Sequence, residues 1–163
     1  MKCYIANGLF SESDRMYNSH LARLLRNKFK DLDLFLPQEE GKINNKNSFA
    51  DAKMIAKLDT DNLLESDFLI AVIDGVEIDA GVATEIGIFS TTGKPIIGLY
   101  TDVRQQGRDN AKKIEALIED GTENQFMYRN LFTIGVIKTV GVVVDNTDSM
   151  LHWSKRIIEG NIT

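Results

Sequence analysis

The chain has 163 residues, the size of one domain, and 43% of them are hydrophobic and 26% charged, a globular composition that excludes disordered and fibrous chains. A formal net charge of −5 offers no basic footprint for a phosphate backbone, which disfavours nucleic-acid binding, and no apolar run is long enough to span a bilayer. Cys3 is the single cysteine, which excludes an intrachain disulfide; with an N-terminus that turns polar too early for a signal peptide, it leads us to expect a cytoplasmic protein.

In chain order, the first expected strand is Cys3–Ala6, followed by Asn7-Gly8. Ser11 and Asp14 have the spacing of a capping box. They open a helix whose apolar stripe is Tyr17, Leu21, Leu24, Leu25 and Phe29. A second strand is expected at Leu34–Leu36, then a loop carrying Pro37-Gln38-Glu39-Glu40, and a second helix from Phe49 to Leu64. The third strand, Phe68–Ile73, has almost no polar alternation, as in a strand buried on both faces. The third helix runs from Ala80 to Thr92 and stops at Gly93-Lys94-Pro95. Apart from Thr84 and Glu85 it is apolar on all sides, which predicts burial all round. A strand at Ile96–Tyr100, a helix at Asn110–Glu119, a strand at Val142–Val144 and a helix at Asp148–Ile158 complete the pattern, with residues 102–126 reading as an insertion or lid.

Strands alternating with helices imply a parallel sheet covered on both faces, with right-handed crossovers. We expect one domain over residues 1–163, a flavodoxin-like three-layer α/β fold with a five-stranded parallel sheet. Ligand chemistry then belongs at the carboxyl ends of the strands.

Four residues sit awkwardly in that frame. Glu85 is a carboxylate in an apolar helix, costly unless partnered. It is either a structural ion pair, a solvated edge or part of a site. Asp79 stands where a short acid caps the third helix, and it also faces the ligand end of the fold. Asp59, four after Ile55 and four before Leu63, falls on the inward stripe of the second helix, at the sheet's rim or in a site. Tyr4 in the first strand reads as core packing with a hydroxyl in need of an acceptor. His20 and His152 lack partners at metal-ligand spacing, and Cys3 reads as inert packing. With no phosphate-binding glycine loop and no nucleophile elbow, a carboxylate site without metal or cofactor remains, a type suited to glycosidic chemistry.

Together, Tyr4-Ile5-Ala6-Asn7-Gly8-Leu9-Phe10, Ser66 to Asp74, Asp79-Ala80-Gly81-Val82-Ala83-Thr84-Glu85-Ile86-Gly87, Lys94 to Asp102 and Asn130-Leu131-Phe132 with Gly135 resemble the nucleoside 2-deoxyribosyltransferases. The resemblance implies Glu85 as nucleophile at C1′, Tyr4 orienting it, and Asp59 handling the proton of the departing base. It implies Asp79 on the sugar hydroxyls, Asn130 reaching the 5′-hydroxyl in a neighbouring subunit's site, and Asn7, Gly8, Phe10, Gln38 and Phe132 among the substrate-binding residues. It implies a 2′-deoxynucleoside and a free nucleobase as substrates, and a homo-oligomer built from dimers. A related branch that hydrolyses deoxynucleoside 5′-monophosphates carries serines where this chain has Asp79 and Asn130, which favours a nucleoside here. Departures are the acidic loop at Pro37-Gln38-Glu39-Glu40-Gly41, the 102–126 segment and the continuation past Gly135. Two other expectations stand beside transfer: hydrolysis through the same Glu85, and a non-catalytic nucleoside-binding module, whose mark would be loss of the glutamate or tyrosine.

Overall fold

The structure, a computed structural model, describes residues 1–41, 49–126 and 128–161. Five strands form one all-parallel sheet: β1 (Lys2–Ala6), β2 (Asp33–Phe35), β3 (Phe68–Val72), β4 (Ile96–Leu99) and β5 (Val142–Val144). Their order is β2-β1-β3-β4-β5, the flavodoxin-like order, in which the chain reverses direction across the sheet beside β1 and β3. Among the described residues, six α-helices complete the fold: α1 (Glu12–Lys28), α2 (Ala52–Glu65), α3 (Ala80–Ser90), α4 (Ala111–Glu119), α5 (Leu131–Val140) and α6 (Thr147–Ile158). None of them is long and apolar enough to cross a membrane.

Strand periodicity divides the core. On β1, Cys3 and Ile5 face a layer with Leu21 and Leu25 of α1 and Met150 and Ile157 of α6. Tyr4 and Ala6 face the opposite layer, with Leu63 of α2, Val82, Ile86 and Phe89 of α3 and Ile137 of α5. All of β3 is buried, as its uninterrupted apolar run predicts. The Ser11–Asp14 capping box is present in both directions, and helix α1 starts where it dictates.

Anchorage is uneven. Each fully buried Leu, Ile or Phe contributes on the order of 1.5–3 kcal/mol. Helix α1 buries Leu21, Ala22 and Leu25, whereas α2 buries only Leu63. The amino-terminal half of α2 therefore packs little into the core and overhangs the carboxyl edge of the sheet. At Gly141, an added Cβ would stand 1.8 Å from the carbonyl oxygen of Ile96. Only glycine lets the chain enter β5 so close to β4.

Two expectations need correction. Helix α3 is not buried all round: Ala80, Gly81, Thr84 and Gly87 are exposed. Small residues made the helix look uniformly apolar, but only Val82, Ile86 and Phe89 reach the core. Helix α5 has no counterpart among the expected elements. Its β-branched residues (Thr133, Ile134, Val136, Ile137, Thr139, Val140) and Gly135 lower helix propensity. Packing of Ile137 beneath the sheet overrides that preference, with Asn130 as the cap accepting from the Thr133 amide at 3.1 Å. The 102–126 segment carries α4 and short 3-10 turns at Val103–Gln105 and Gly121–Glu123, none of them with a buried residue.

Candidate active site

The carboxyl end of β1 and the facing ends of α2 and α3 enclose a cavity of about 220 Å³. Asn7, Gly8 and Phe10 follow β1 into its wall; Ile55 and Asp59 come from α2; Asp79 and Glu85 come from the start of α3. Larger clefts of about 790 and 700 Å³ lie elsewhere on the surface. They hold no carboxylate with a raised pKa, so the smaller cavity is where unusual chemistry is concentrated.

Glu85 is held from below. Tyr4, fully buried on the α3 side of β1, donates its hydroxyl to Glu85 Oε1 at 2.6 Å. That is the length of a charge-assisted bond, and it fixes the carboxylate's orientation. Glu85 Oε2 makes no hydrogen bond among the described residues. Burial pushes the Glu85 carboxyl up to about 7, the Tyr4 bond opposes that rise, and the nearby Asp59 and Asp79 charges add to it. Burial first, and then the Glu85 charge, raises the Tyr4 hydroxyl well above its ordinary value, so it remains a donor throughout the physiological range.

Asp59 hangs from the overhanging part of α2. Its Oδ1 is buried without a hydrogen-bond partner, and burial raises its pKa. A carboxyl in that state holds a proton more readily than a solvated one, as a proton handler requires. Asp79 caps α3: its Oδ1 accepts from the amides of Gly81 at 2.8 Å and Val82 at 3.1 Å. Asp79 also lines the cavity, and its Oδ2 is not used by the helix.

The sequence profile of the nucleoside 2-deoxyribosyltransferase family matches residues 3–152. The chain belongs to that family. Its enzymes act on the N-glycosidic bonds of nucleosides. Among solved structures, a conserved protein from Enterococcus faecalis V583 is 47% identical, with a TM-score of 0.88 and 98% of each chain covered. The 2-deoxyribosyltransferase of Bacillus psychrosaccharolyticus is 19% identical, with a TM-score of 0.62, 92% of this chain and 90% of that chain covered; at that identity the likeness is one of fold. No curated protein matches the chain's sequence.

The family's fold thus brings Tyr4, Asn7, Gly8, Phe10, Asp59, Asp79 and Glu85 together. Gln38 lies just outside, in the neighbouring cleft with Phe10. Its amide is spent on Asn18, Ser19 Oγ and the Arg15 carbonyl. Glu39 turns away to form a two-pronged bond with Arg26. Asn130 lines a separate depression beside Ala83 and Thr133, and Phe132 projects from α5 with 82% of its surface exposed. Cys3 is buried in β1, as expected of a packing residue. Among the described residues, no group of three or more His, Cys, Asp or Glu is placed to hold a metal ion.

Sequence reasoning missed Asn18, a buried polar residue with side-chain bonds to Asn7, Gly8 and Gln38. The signal was available. Asn18 stands three before Leu21, four before Ala22 and seven before Leu25, which places an amide on the buried stripe of α1.

Proposed function

We propose that this protein transfers a 2-deoxyribosyl group between nucleobases by double displacement through Glu85. One observation carries the reading: the hydrogen bond from the buried Tyr4 hydroxyl to Glu85 Oε1, which leaves Oε2 free at the cavity. In the first displacement Glu85 Oε2 forms a bond to C1′ while the C1′–N bond breaks, its electron pair going to the base. Asp59 supplies the proton that neutralises the departing base. The incoming base then gives up its proton to Asp59 and attacks C1′, releasing Glu85. Two inversions retain configuration.

Asp79 accepts hydrogen bonds from the sugar hydroxyls. Asp59, Asp79 and Glu85 line the cavity, and among the described residues no lysine or arginine does, so a 5′-monophosphate would meet repulsion. The cavity is smaller than the roughly 300–1,000 Å³ of drug-sized ligand pockets, as expected if one chain supplies only part of the wall. A neighbouring copy completes it with Asn130, and the exposed Leu131 and Phe132 pack against that copy.

The test is to incubate the protein with a 2′-deoxynucleoside and a different free base. The expected product is the exchanged deoxynucleoside, with Glu85→Ala folded and inactive. Free deoxyribose alone would replace transfer by hydrolysis at the same site. Full activity of Glu85→Ala would overturn the mechanism, and a preference for the 5′-monophosphate would overturn the role of Asp79.

A further inference from the structure

Three side-chain amides form a directional chain behind the cavity wall. Asn7 Nδ2 donates to Asn18 Oδ1 at 2.8 Å. Asn18 Nδ2 donates to Gln38 Oε1 at 3.0 Å and to the Gly8 carbonyl at 3.0 Å. Gln38 Nε2 donates to the Arg15 carbonyl at 3.2 Å and to Ser19 Oγ at 3.0 Å.

An isolated amide pair can be flipped without loss, but this chain cannot. A backbone carbonyl only accepts. The Arg15 carbonyl therefore fixes which end of Gln38 faces it. Ser19 agrees, because its own proton is already given to the Arg15 carbonyl at 2.9 Å, so toward Gln38 it too accepts. Gln38 must then turn its oxygen to Asn18. The Gly8 carbonyl independently demands the nitrogen of Asn18. With both N–H groups of Asn18 committed, its oxygen faces Asn7, and Asn7 must answer with its nitrogen.

The consequence reaches the cavity. Asn7 lines it, and its Oδ1 has no hydrogen-bond partner among the described residues. Asn18 itself is 2% exposed and does not line the cavity; it stands behind Asn7 and Gly8, which do. The side chains of Ser66 and Ser154, also buried and polar, bond only the preceding turn of their own helix, whereas the Asn18 side chain ties α1 to the loops after β1 and β2. Those two loops carry Asn7, Gly8, Phe10 and Pro37 to the site.

We propose that Asn18 is a positioning residue that locks the polarity of this amide chain, so that Asn7 presents a carbonyl oxygen to the ligand and selects nucleosides with an O–H or N–H donor at that edge. The proposal rests on the nucleoside reading above. It adds Asn7 Oδ1 to the acceptors that Asp79 and Glu85 present to the cavity, beside Asp59 as the proton handler. The donor is either a sugar hydroxyl or an amino group of the base, and paired ligands separate the two.

The experiment measures affinity by calorimetry in a Glu85→Gln background, where binding is seen without turnover. The base arm compares 2′-deoxyadenosine with 2′-deoxyinosine, and 2′-deoxycytidine with 2′-deoxyuridine. The sugar arm compares 2′-deoxyadenosine with its 3′-deoxy and 5′-deoxy analogues. In one arm, deletion of the donor is expected to weaken binding by about 3- to 10-fold. Adding Asn18→Leu, or separately Asn7→Ala, brings that ratio close to one and leaves the ratio of the other arm unchanged. A merely structural role for Asn18 would lower all affinities alike and keep the ratios. Asn7→Ala sits on the cavity wall and tests the acceptor even if Asn18→Leu does not fold. Ratios unchanged in both variants overturn the inference, as does a selective loss of the keto ligands, which would mean that Asn7 presents its nitrogen. Failure of every nucleoside to bind the Glu85→Gln protein refutes the nucleoside reading, and the inference falls with it.

Discussion

Glu85→Gln is expected to stabilise the protein at alkaline pH while abolishing its chemistry. In the unfolded chain this carboxyl titrates near 4.5, and in the folded chain near 7. The folded state holds the proton more tightly, so the stability contributed by the protonated group is fully present below 4.5 and is lost as pH rises through 7. At about 1.36 kcal/mol per pH unit, the loss reaches about 3 kcal/mol by pH 8.5. A glutamine keeps an oxygen for the Tyr4 hydroxyl but never ionises. The variant should therefore gain about 3 kcal/mol over the parent at pH 8.5, and less than about 1 kcal/mol at pH 5. For a chain of this size that is roughly 6–12 °C in Tm at the higher pH. Thermal and urea unfolding, followed by circular dichroism at both pH values, measure the gap. A gap of equal size at the two pH values would refute the reasoning, because the carboxylate would then not be desolvated. So would a variant less stable than the parent at pH 8.5. In the proposed mechanism, the instability of the charged form is the cost of keeping a poorly solvated nucleophile.

The same electrostatics govern activity: kcat/KM for the parent should rise with pH through an acid limb near 7 as Glu85 ionises. Tyr4→Phe removes the bond that holds the Glu85 pKa down, so the limb should move to higher pH and kcat/KM at pH 7 should fall about 10- to 100-fold; an unmoved limb would detach Tyr4 from Glu85. Gly141→Ala places a Cβ against the Ile96 carbonyl and should cost more than about 3 kcal/mol in urea unfolding; a neutral result would contradict the close approach of β4 and the entry to β5. Replacing the exposed Leu131 and Phe132 together by aspartate should shift the protein toward monomer in sedimentation and reduce base exchange in parallel; an unchanged assembly would remove α5 from the interface.

Among the described residues, all five strands, five of the six helices and the parallel architecture were legible in the sequence, because periodicity and capping are local properties. The run of β3 and the Ser11–Asp14 box each carry their own instruction. Helix α5 was not legible, because its residues favour extended backbone and only the packing of Ile137 against the sheet makes it helical. The acids of the site were legible one by one as residues in costly places, and the resemblance of their order supplied the roles proposed for them.

What only the tertiary structure decided is how these groups act on one another. Tyr4 and Glu85 are separated by 81 positions, and the bond between them exists because β1 runs beneath α3. The raised pKa of Glu85 follows from burial and from two other carboxylates on separate segments, none of which local sequence encodes. Asn18 shows the division most plainly. Its spacing places an amide on a buried stripe, but the direction in which that amide points is set by the Gly8 carbonyl and by Gln38, which the fold delivers from two other loops.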